Sequence, residues 1–194
     1  MGEKSLQKKQ YILETARKVF VEKGYKNVTM KDIVEACDIS RGGLYLYFGS
    51  TEELLLAVLQ KDAEEIDDVF SESIAGEDSA ADILTLFLKE QKKELLRKKN
   101  NLTMAVYEYA FENRDKQDQM MRRQFEAGVK VLVKLIESGI ASGEFYCEDP
   151  QGAAYNIMYV LEGMKINSQT MGITEAMVDK QLLYIVAGLL IDVD

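Results

Sequence analysis

The sequence predicts an all-α chain of about nine helices, and three observations predict it. Apolar residues recur at helical spacing along most of the 194 residues. Serine, threonine or aspartate stands at the head of segment after segment, as helix starts require. Glycine or asparagine follows most of those segments, and the chain holds one proline and no tryptophan. No segment reads as a convincing strand. No repeat of about 20–50 residues marks a solenoid.

The elements follow in order. The first helix carries Ile12, Ala16, Val19 and Phe20 on one face and Glu14, Arg17 and Lys18 on the other, and Gly24 ends it. Thr29 caps a short second helix through Ala36, with Ile33 and Val34 inward. Cys37-Asp38-Ile39 is a tight turn, and Ser40 caps a third helix that ends near Phe48. Ser50 opens a fourth through a capping box with Glu53, and Leu54, Leu55, Val58 and Leu59 carry it on to about Ile74. A break at Gly76-Glu77-Asp78 precedes a helix capped by Ser79 and reaching about Lys99. After Asn100-Asn101 come a short helix over 102–112 and a long one over about 116–142, stopped by Gly143. Asp149-Pro150 starts the eighth helix, because proline suits the first helical position. It reaches about Met171. Thr174 caps the ninth, which ends near Ile191.

Composition removes most chemistry. With 47% hydrophobic and 29% charged residues the chain packs a core rather than staying disordered. It has no histidine, which excludes serine and cysteine triads, histidine zinc sites and di-iron bundles built on Glu-x-x-His. Cys37 and Cys147 form neither a CxxC motif nor a disulfide framework. No glycine-rich phosphate loop is present. We therefore expect no catalytic residue, no metal and no cofactor. Residues 1–10 are polar, which predicts no secretory signal. The longest apolar run, 185–191, is too short to cross a bilayer. A cytoplasmic protein with no membrane partner is expected.

The net charge of −9 hides an asymmetry. Residues 1–50 hold nine basic and six acidic side chains, a net of +3, and the remainder a net of −12. A basic head on an acidic body suits a head that meets a polyanion. Within that head, two short helices joined by a tight turn make a helix-turn-helix. Ile33, Ile39, Leu44 and Phe48 lock their angle, which leaves Arg41, Gly42, Tyr45 and Leu46 to face outward on the third helix. Arginine reads guanine O6 and N7 with two hydrogen bonds, and leucine meets a thymine methyl. Tyr45 and Tyr47 suit phosphate oxygens. Gly42-Gly43 costs the helix about 1 kcal/mol per residue relative to alanine. Bare backbone there allows close approach to DNA.

These residues carry a resemblance. Ile12-Leu13, Ala16, Val19-Phe20, Gly24-Tyr25, Thr29-Met30, Ile33-Val34, Ala36, the run from Ile39 to Phe48, and Ser50 with Glu52-Glu53-Leu54 together resemble the DNA-binding module of the TetR family of transcriptional regulators, over about residues 8–56. A fainter echo lies at Gly139, Gly143-Glu144-Phe145, Asp149-Pro150 and Ala153-Ala154. The resemblance implies a helix-turn-helix DNA-binding domain over 1–50 and a ligand-binding and dimerisation domain over 51–194. It implies a homodimeric repressor on palindromic operator DNA, released by a small-molecule effector bound in the C-terminal domain. Thr29, Lys31, Ser40, Arg41, Gly42, Gly43, Tyr45, Leu46, Tyr47 and Thr51 match the family's DNA contacts.

There are two departures. Asp38 stands where the family often has glycine, and aspartate tolerates the left-handed conformation a tight turn needs. Gly49 and Thr51 stand where lysines are common, so the salt dependence of DNA binding should be shallower. Free amides at 50–53 are expected to hold a phosphate instead.

The resemblance also implies a dimer seam on the last two helices. It falls on Ile157, Leu161, Met164, Val178, Leu182, Ile185, Gly188 and Leu189, whose alternative is an internal core. Phe87, Met104, Tyr107, Glu108, Phe111, Phe125, Tyr159 and Glu162 are candidates to line a cavity for an apolar or lipophilic effector, the alternative again being plain core. A carboxylate among aromatic rings, Glu108 or Glu162, favours a cationic lipophilic ligand. A regulator of the same shape, governed by a protein partner or lacking an inducer, is the rival reading.

Overall fold

A computed structural model of the chain describes residues 2–74, 79–97, 102–114 and 120–189. Among these residues there are nine helices and no strand: α1 (Glu3–Lys23), α2 (Met30–Cys37), α3 (Arg41–Tyr45), α4 (Thr51–Ile74), α5 (Ala80–Leu96), α6 (Thr103–Glu112), α7 (Met120–Ser142), α8 (Pro150–Thr170) and α9 (Glu175–Ala187). The expected caps recur. The side chains of Thr29, Ser40, Ser79, Asp149 and Thr174 each accept a backbone N–H of the following first turn. The expected breaks at 76–78 and 100–101, the start of α7 at 116 and the end of α9 at 191 lie outside the described residues.

The third helix is shorter than expected. It spans five residues, and its coil then tightens: the Tyr47 and Phe48 amides both donate to the Leu44 carbonyl, at 2.9 and 3.1 Å. Two glycines leave this segment little intrinsic helicity, so burial of Leu44 and Phe48 holds it in place.

The chain forms two compact units. The first is Met1–Ser71 with Lys99–Asp115, and the second is Glu72–Lys98 with Lys116–Asp194. The first unit thus runs beyond residue 50, where the sequence places the end of the head. Leu54, Leu55 and Val58 of α4 are buried there with Ile12, Ala16 and Phe20 of α1. Arg17 holds Asp62 at 3.1 Å and Lys61 holds Glu14 at 3.1 Å, tying α1 to α4. The first unit also takes in α6. The Glu108 carboxylate accepts the Tyr25 and Lys26 amides at 2.6 and 3.0 Å. The Tyr109 hydroxyl donates to Glu52 at 3.0 Å, and its ring meets Tyr25 edge-on, with centroids 5.2 Å apart. Gly24, at φ +74°, sits under that carboxylate; a β-carbon there would lie 2.5 Å from Glu108 Oε2.

In the second unit α5 packs on α7, α8 and α9, and α7 lies along α8. The faint family echo has a physical account here. A β-carbon on Gly139 would overlap the ring of Phe145, which is 97% buried, so the glycine leaves the space that the ring fills. Gly143 takes φ +79° and turns the chain. Glu144 then caps α5 from afar, accepting the Ala80 and Ala81 amides at 3.3 and 3.0 Å. The Ser142 hydroxyl and these amides hold its carboxyl below the ordinary range.

The expected dimer seam falls largely on side chains that the chain itself covers. Ile157, Leu161, Met164, Val178, Leu182, Ile185 and Leu189 are all buried within the single chain, and only Gly188 is exposed. Periodicity finds the apolar face of a helix but not what covers it. The outward apolar residues of α8 and α9 are Tyr159, Ile166, Met177, Leu183 and Tyr184.

Replacing Gly139 by alanine should cost about 1–3 kcal/mol through overpacking against Phe145. Urea unfolding of the variant is the check, and an unchanged midpoint would refute this account of the turn.

Candidate nucleic-acid interface

The site is built by the α2–α3 turn. Asp38 adopts the left-handed conformation, at φ 50° and ψ 48°, and is the only non-glycine residue with positive φ among those described. Its amide donates to Glu35 O, and the Ile39 amide to Val34 O, both at 3.3 Å, so α2 closes within one residue. The Tyr11 hydroxyl donates to the Cys37 carbonyl at 3.3 Å and pins the turn to α1. Ile33, Leu44 and Phe48 are buried beneath it, and Ile39 is half-buried.

Thr29 and Asp32 fix the start of α2. The Thr29 amide donates to Asp32 at 2.8 Å, and the Asp32 amide to the Thr29 hydroxyl at 3.3 Å. Lys23, 2.6 Å from Asp32, and then Thr29 hold the Asp32 carboxyl far below the ordinary carboxylate range. Its folded pKa is depressed, so its contribution to stability is present above about pH 4 and is lost as pH falls below that.

Geometry then presents the outer face of α3. Leu46 is 84% exposed and Tyr45 42%. Arg41 is exposed, with its guanidinium carbon over the Tyr45 ring, 5.3 Å from the centroid. A β-carbon on Gly42 would meet nothing within 4 Å. Packing within this chain therefore does not require glycine there. Gly43 differs, since a β-carbon would approach the capping Ser40 hydroxyl at 3.1 Å. Thr29 is exposed, and Lys31 is 82% exposed beside Glu35 at 3.6 Å.

Two expected contacts are already engaged. The Tyr47 hydroxyl lies 3.2 Å from Ser5 Oγ, and Thr51 is half-buried with its side chain hydrogen-bonded to Tyr25. The start of α4 also differs from expectation. Glu53 reaches the Gly49 amide at 2.6 Å rather than that of Ser50, and Ser50 Oγ accepts the Glu53 amide at 3.1 Å. A carboxylate stands among the amides expected to receive a phosphate.

Sequence reasoning missed the first turns of α1. Lys9 sits over the Phe48 ring at 5.7 Å, and Lys8 Nζ would lie 3.7 Å from a β-carbon on Gly43. With Ser5 they flank α3, and the two lysines bring cations beside its outward face. The signal was the spacing of Lys4 and Lys8 on one edge of a helix.

The effector candidates divide between the two units. Met104, Tyr107, Glu108 and Phe111 lie on α6 in the first; Phe87, Phe125, Tyr159 and Glu162 lie in the second. Met104 and Phe111 are exposed, and Glu108 is occupied by two amides. Glu162 pairs with Lys165 at 2.6 Å. In the second unit Phe125, Tyr155 and Tyr159 form a ring cluster, with centroids 5.2–6.1 Å apart. The Tyr155 hydroxyl donates to Glu126 at 2.9 Å, which raises its pKa above the ordinary phenol value. A separate groove between α5 and α9, lined by Leu88, Lys92, Asp179, Leu182 and Val186 among others, contains none of the candidates. Among the described residues no acidic or thiol cluster offers a metal site. No described helix is long and apolar enough to cross a membrane.

A short helix held outward by a left-handed turn, bare of side chain at its centre and flanked by lysines, defines a helix-turn-helix DNA-binding protein. Residues 12–58 match the model of bacterial regulatory proteins of the tetR family, and residues 83–179 match the tetracyclin repressor-like C-terminal domain. The HTH-type transcriptional regulator YfiR of Bacillus subtilis is 33% identical over 142 residues, covering 72% of this chain and 68% of its own. The HTH-type transcriptional repressor AcnR of Corynebacterium glutamicum is 40% identical over 72 residues, 37% of this chain and 38% of its own. A TetR transcriptional regulator from Chloroflexus aurantiacus shares the fold at a TM-score of 0.77 and 23% identity, covering 96% of both chains. A transcriptional regulator from Saccharomonospora viridis in complex with choline does so at 0.75 and 20%, covering 92% of this chain and 93% of that one. The chain belongs to the TetR family and is a helix-turn-helix transcriptional regulator, a class whose members are not enzymes.

Gly42 separates stability from function. Gly42→Ala should raise the melting temperature, since helical alanine gains up to about 1 kcal/mol over glycine. It should nonetheless weaken DNA binding by crowding the groove. Thermal melts and DNA titrations of one preparation test both halves; unchanged affinity would refute close approach at Gly42.

Proposed function

We propose that this regulator represses transcription as a cytoplasmic homodimer on a palindromic operator, and that a small molecule bound in the second unit releases it. The observation that carries the DNA half is the exposed face of Arg41, Gly42, Tyr45 and Leu46, which no packing demand explains. On this reading Arg41 contacts a guanine, Leu46 a thymine methyl, and Thr29, Lys31, Ser40, Gly43, Tyr47 and Thr51 lie along the phosphates. Tyr47 and Thr51 exchange their present partners for DNA.

The dimer seam is best assigned to the outward faces of α8 and α9. Tyr159, Gly163 and Ile166 follow one another at helical spacing, and Met177 and Tyr184, seven apart, share a face of the next helix beside Leu183. A β-carbon on Gly163 would meet nothing within 4 Å, which leaves room for a helix from a second copy. An isologous seam repeats the two heads with the symmetry of a palindrome.

The effector is best placed at the Phe125–Tyr155–Tyr159 cluster, where an apolar ligand finds aromatic surface beside the Glu126 carboxylate. Release follows through α6. The chain passes between the units three times, and α6, which holds the end of α1 through Glu108, lies between two of those passages. A displacement of α6 draws on the Tyr25–Lys26 amides and so on the head.

Selection from random duplexes at about 0.15 M salt should return a two-fold symmetric motif with half-sites roughly one helical turn apart. An asymmetric motif, or none, would overturn the operator reading. The double variant Ile166→Lys, Tyr184→Lys should be monomeric by light scattering and bind that motif about a hundredfold more weakly. A dimeric variant would place the seam elsewhere.

A further inference from the structure

Tyr45 carries two chemically separate groups, and they face different tasks. Its hydroxyl is a hydrogen-bond donor at the rim of α3. Its ring lies under the Arg41 guanidinium, 5.3 Å from ring centroid to guanidinium carbon. The two residues stand four apart in sequence, one turn on the same face, and both are exposed. Nothing else claims Arg41 here. Among the described residues no ion pair or hydrogen bond is recorded for it, and the nearest helix position, Gly42, is open space.

An unsupported arginine is a poor reader of bases. Its long chain samples many rotamers, while recognition of guanine requires the planar fork to lie in one orientation at the base edge. The ring attracts the cation through its face, and a guanidinium has five N–H donors, so those directed away from Tyr45 stay available. A ring beside Arg41 therefore narrows its orientations and leaves donors for a base edge.

We propose that Tyr45 is the positioning residue for base discrimination by Arg41: its ring holds the guanidinium ready for guanine, while its hydroxyl separately serves a phosphate. The proposal rests on the reading of Arg41 as the base-contacting residue. It assigns part of sequence specificity to a residue that touches no base. Tyr45→Phe keeps the ring and loses the hydroxyl. Tyr45→Leu loses both and keeps apolar bulk. The two variants therefore separate the two tasks.

The experiment measures affinity for the selected duplex and for its single-base variants, using the full-length protein, Tyr45→Phe, Tyr45→Leu, Arg41→Ala and the double variant Arg41→Ala, Tyr45→Leu. Because both side chains are exposed, folding is checked by a melt and is expected to be unchanged. Tyr45→Phe should weaken every duplex by the same factor and leave the discrimination ratios intact. Tyr45→Leu should in addition reduce the preference at the Arg41 position by about two- to fivefold, the range of an exposed cation–π contact. That extra loss should vanish in the Arg41→Ala background. A Tyr45→Leu protein that loses affinity equally for all duplexes overturns the positioning role, while Arg41→Ala still flattens the preference. If Arg41→Ala leaves the preference at every position unchanged, base reading by Arg41 itself is overturned, and the positioning role with it.

Discussion

The left-handed backbone at Asp38 is the constraint on which the outward face of α3 depends. One residue reverses the chain between α2 and α3, and the reversal brings Ile33 and Leu44 into one buried cluster. A longer turn would let α3 swing, and the outward face would lose its direction. Aspartate holds this conformation at a cost that glycine would avoid. The cost is met locally by the Tyr11 hydroxyl on the Cys37 carbonyl and by two turn hydrogen bonds. Cys37 itself is packed into the core there. Burial raises its thiol above the ordinary value, which makes it a poor nucleophile at neutral pH.

Around that turn the head divides its residues sharply between inward and outward duties. Leu44 and Phe48 are almost completely buried, while Leu46 between them is among the most exposed apolar residues described. A surface leucine and a helical glycine each weaken a free protein slightly. Their concentration on one five-residue helix and its C-cap is understandable as a surface made for a partner. The lysines of α1 continue that surface: Lys8 and Lys9 bring part of the basic head's charge beside α3.

What was legible in the sequence was local. Thr29, Ser40, Ser79, Asp149 and Thr174 act on amides within three residues, and all cap as expected. The helix-turn-helix was legible for the same reason, since its signals lie within about twenty residues. What was not legible was distant or relational. Glu144 caps a helix 63 residues earlier, and Glu108 serves amides 83 residues away. No periodicity announces such a carboxylate. The apolar stripes of α8 and α9 are regularly spaced, yet spacing alone does not tell an internal neighbour from a second subunit, and all the residues expected at the seam except Gly188 are covered within the single chain. Glu53 shows the smallest version of the same limit, reaching one amide further than the usual box.

The division of the first unit into 1–71 and 99–115 has a consequence for building hybrids. A head cut out as a continuous stretch would leave behind α6, and with it the Glu108 acceptor and the Tyr109 ring on which Tyr25 rests. The loose end of α1 would then present two bare amides to water, and its apolar neighbours would be uncovered. Such a fragment also folds by a different route, because the native arrangement must close a long intervening stretch of chain before α6 can dock. Transplanting this specificity onto another regulator therefore requires moving two separate segments together, or grafting α3 alone and leaving the recipient's own clasp in place.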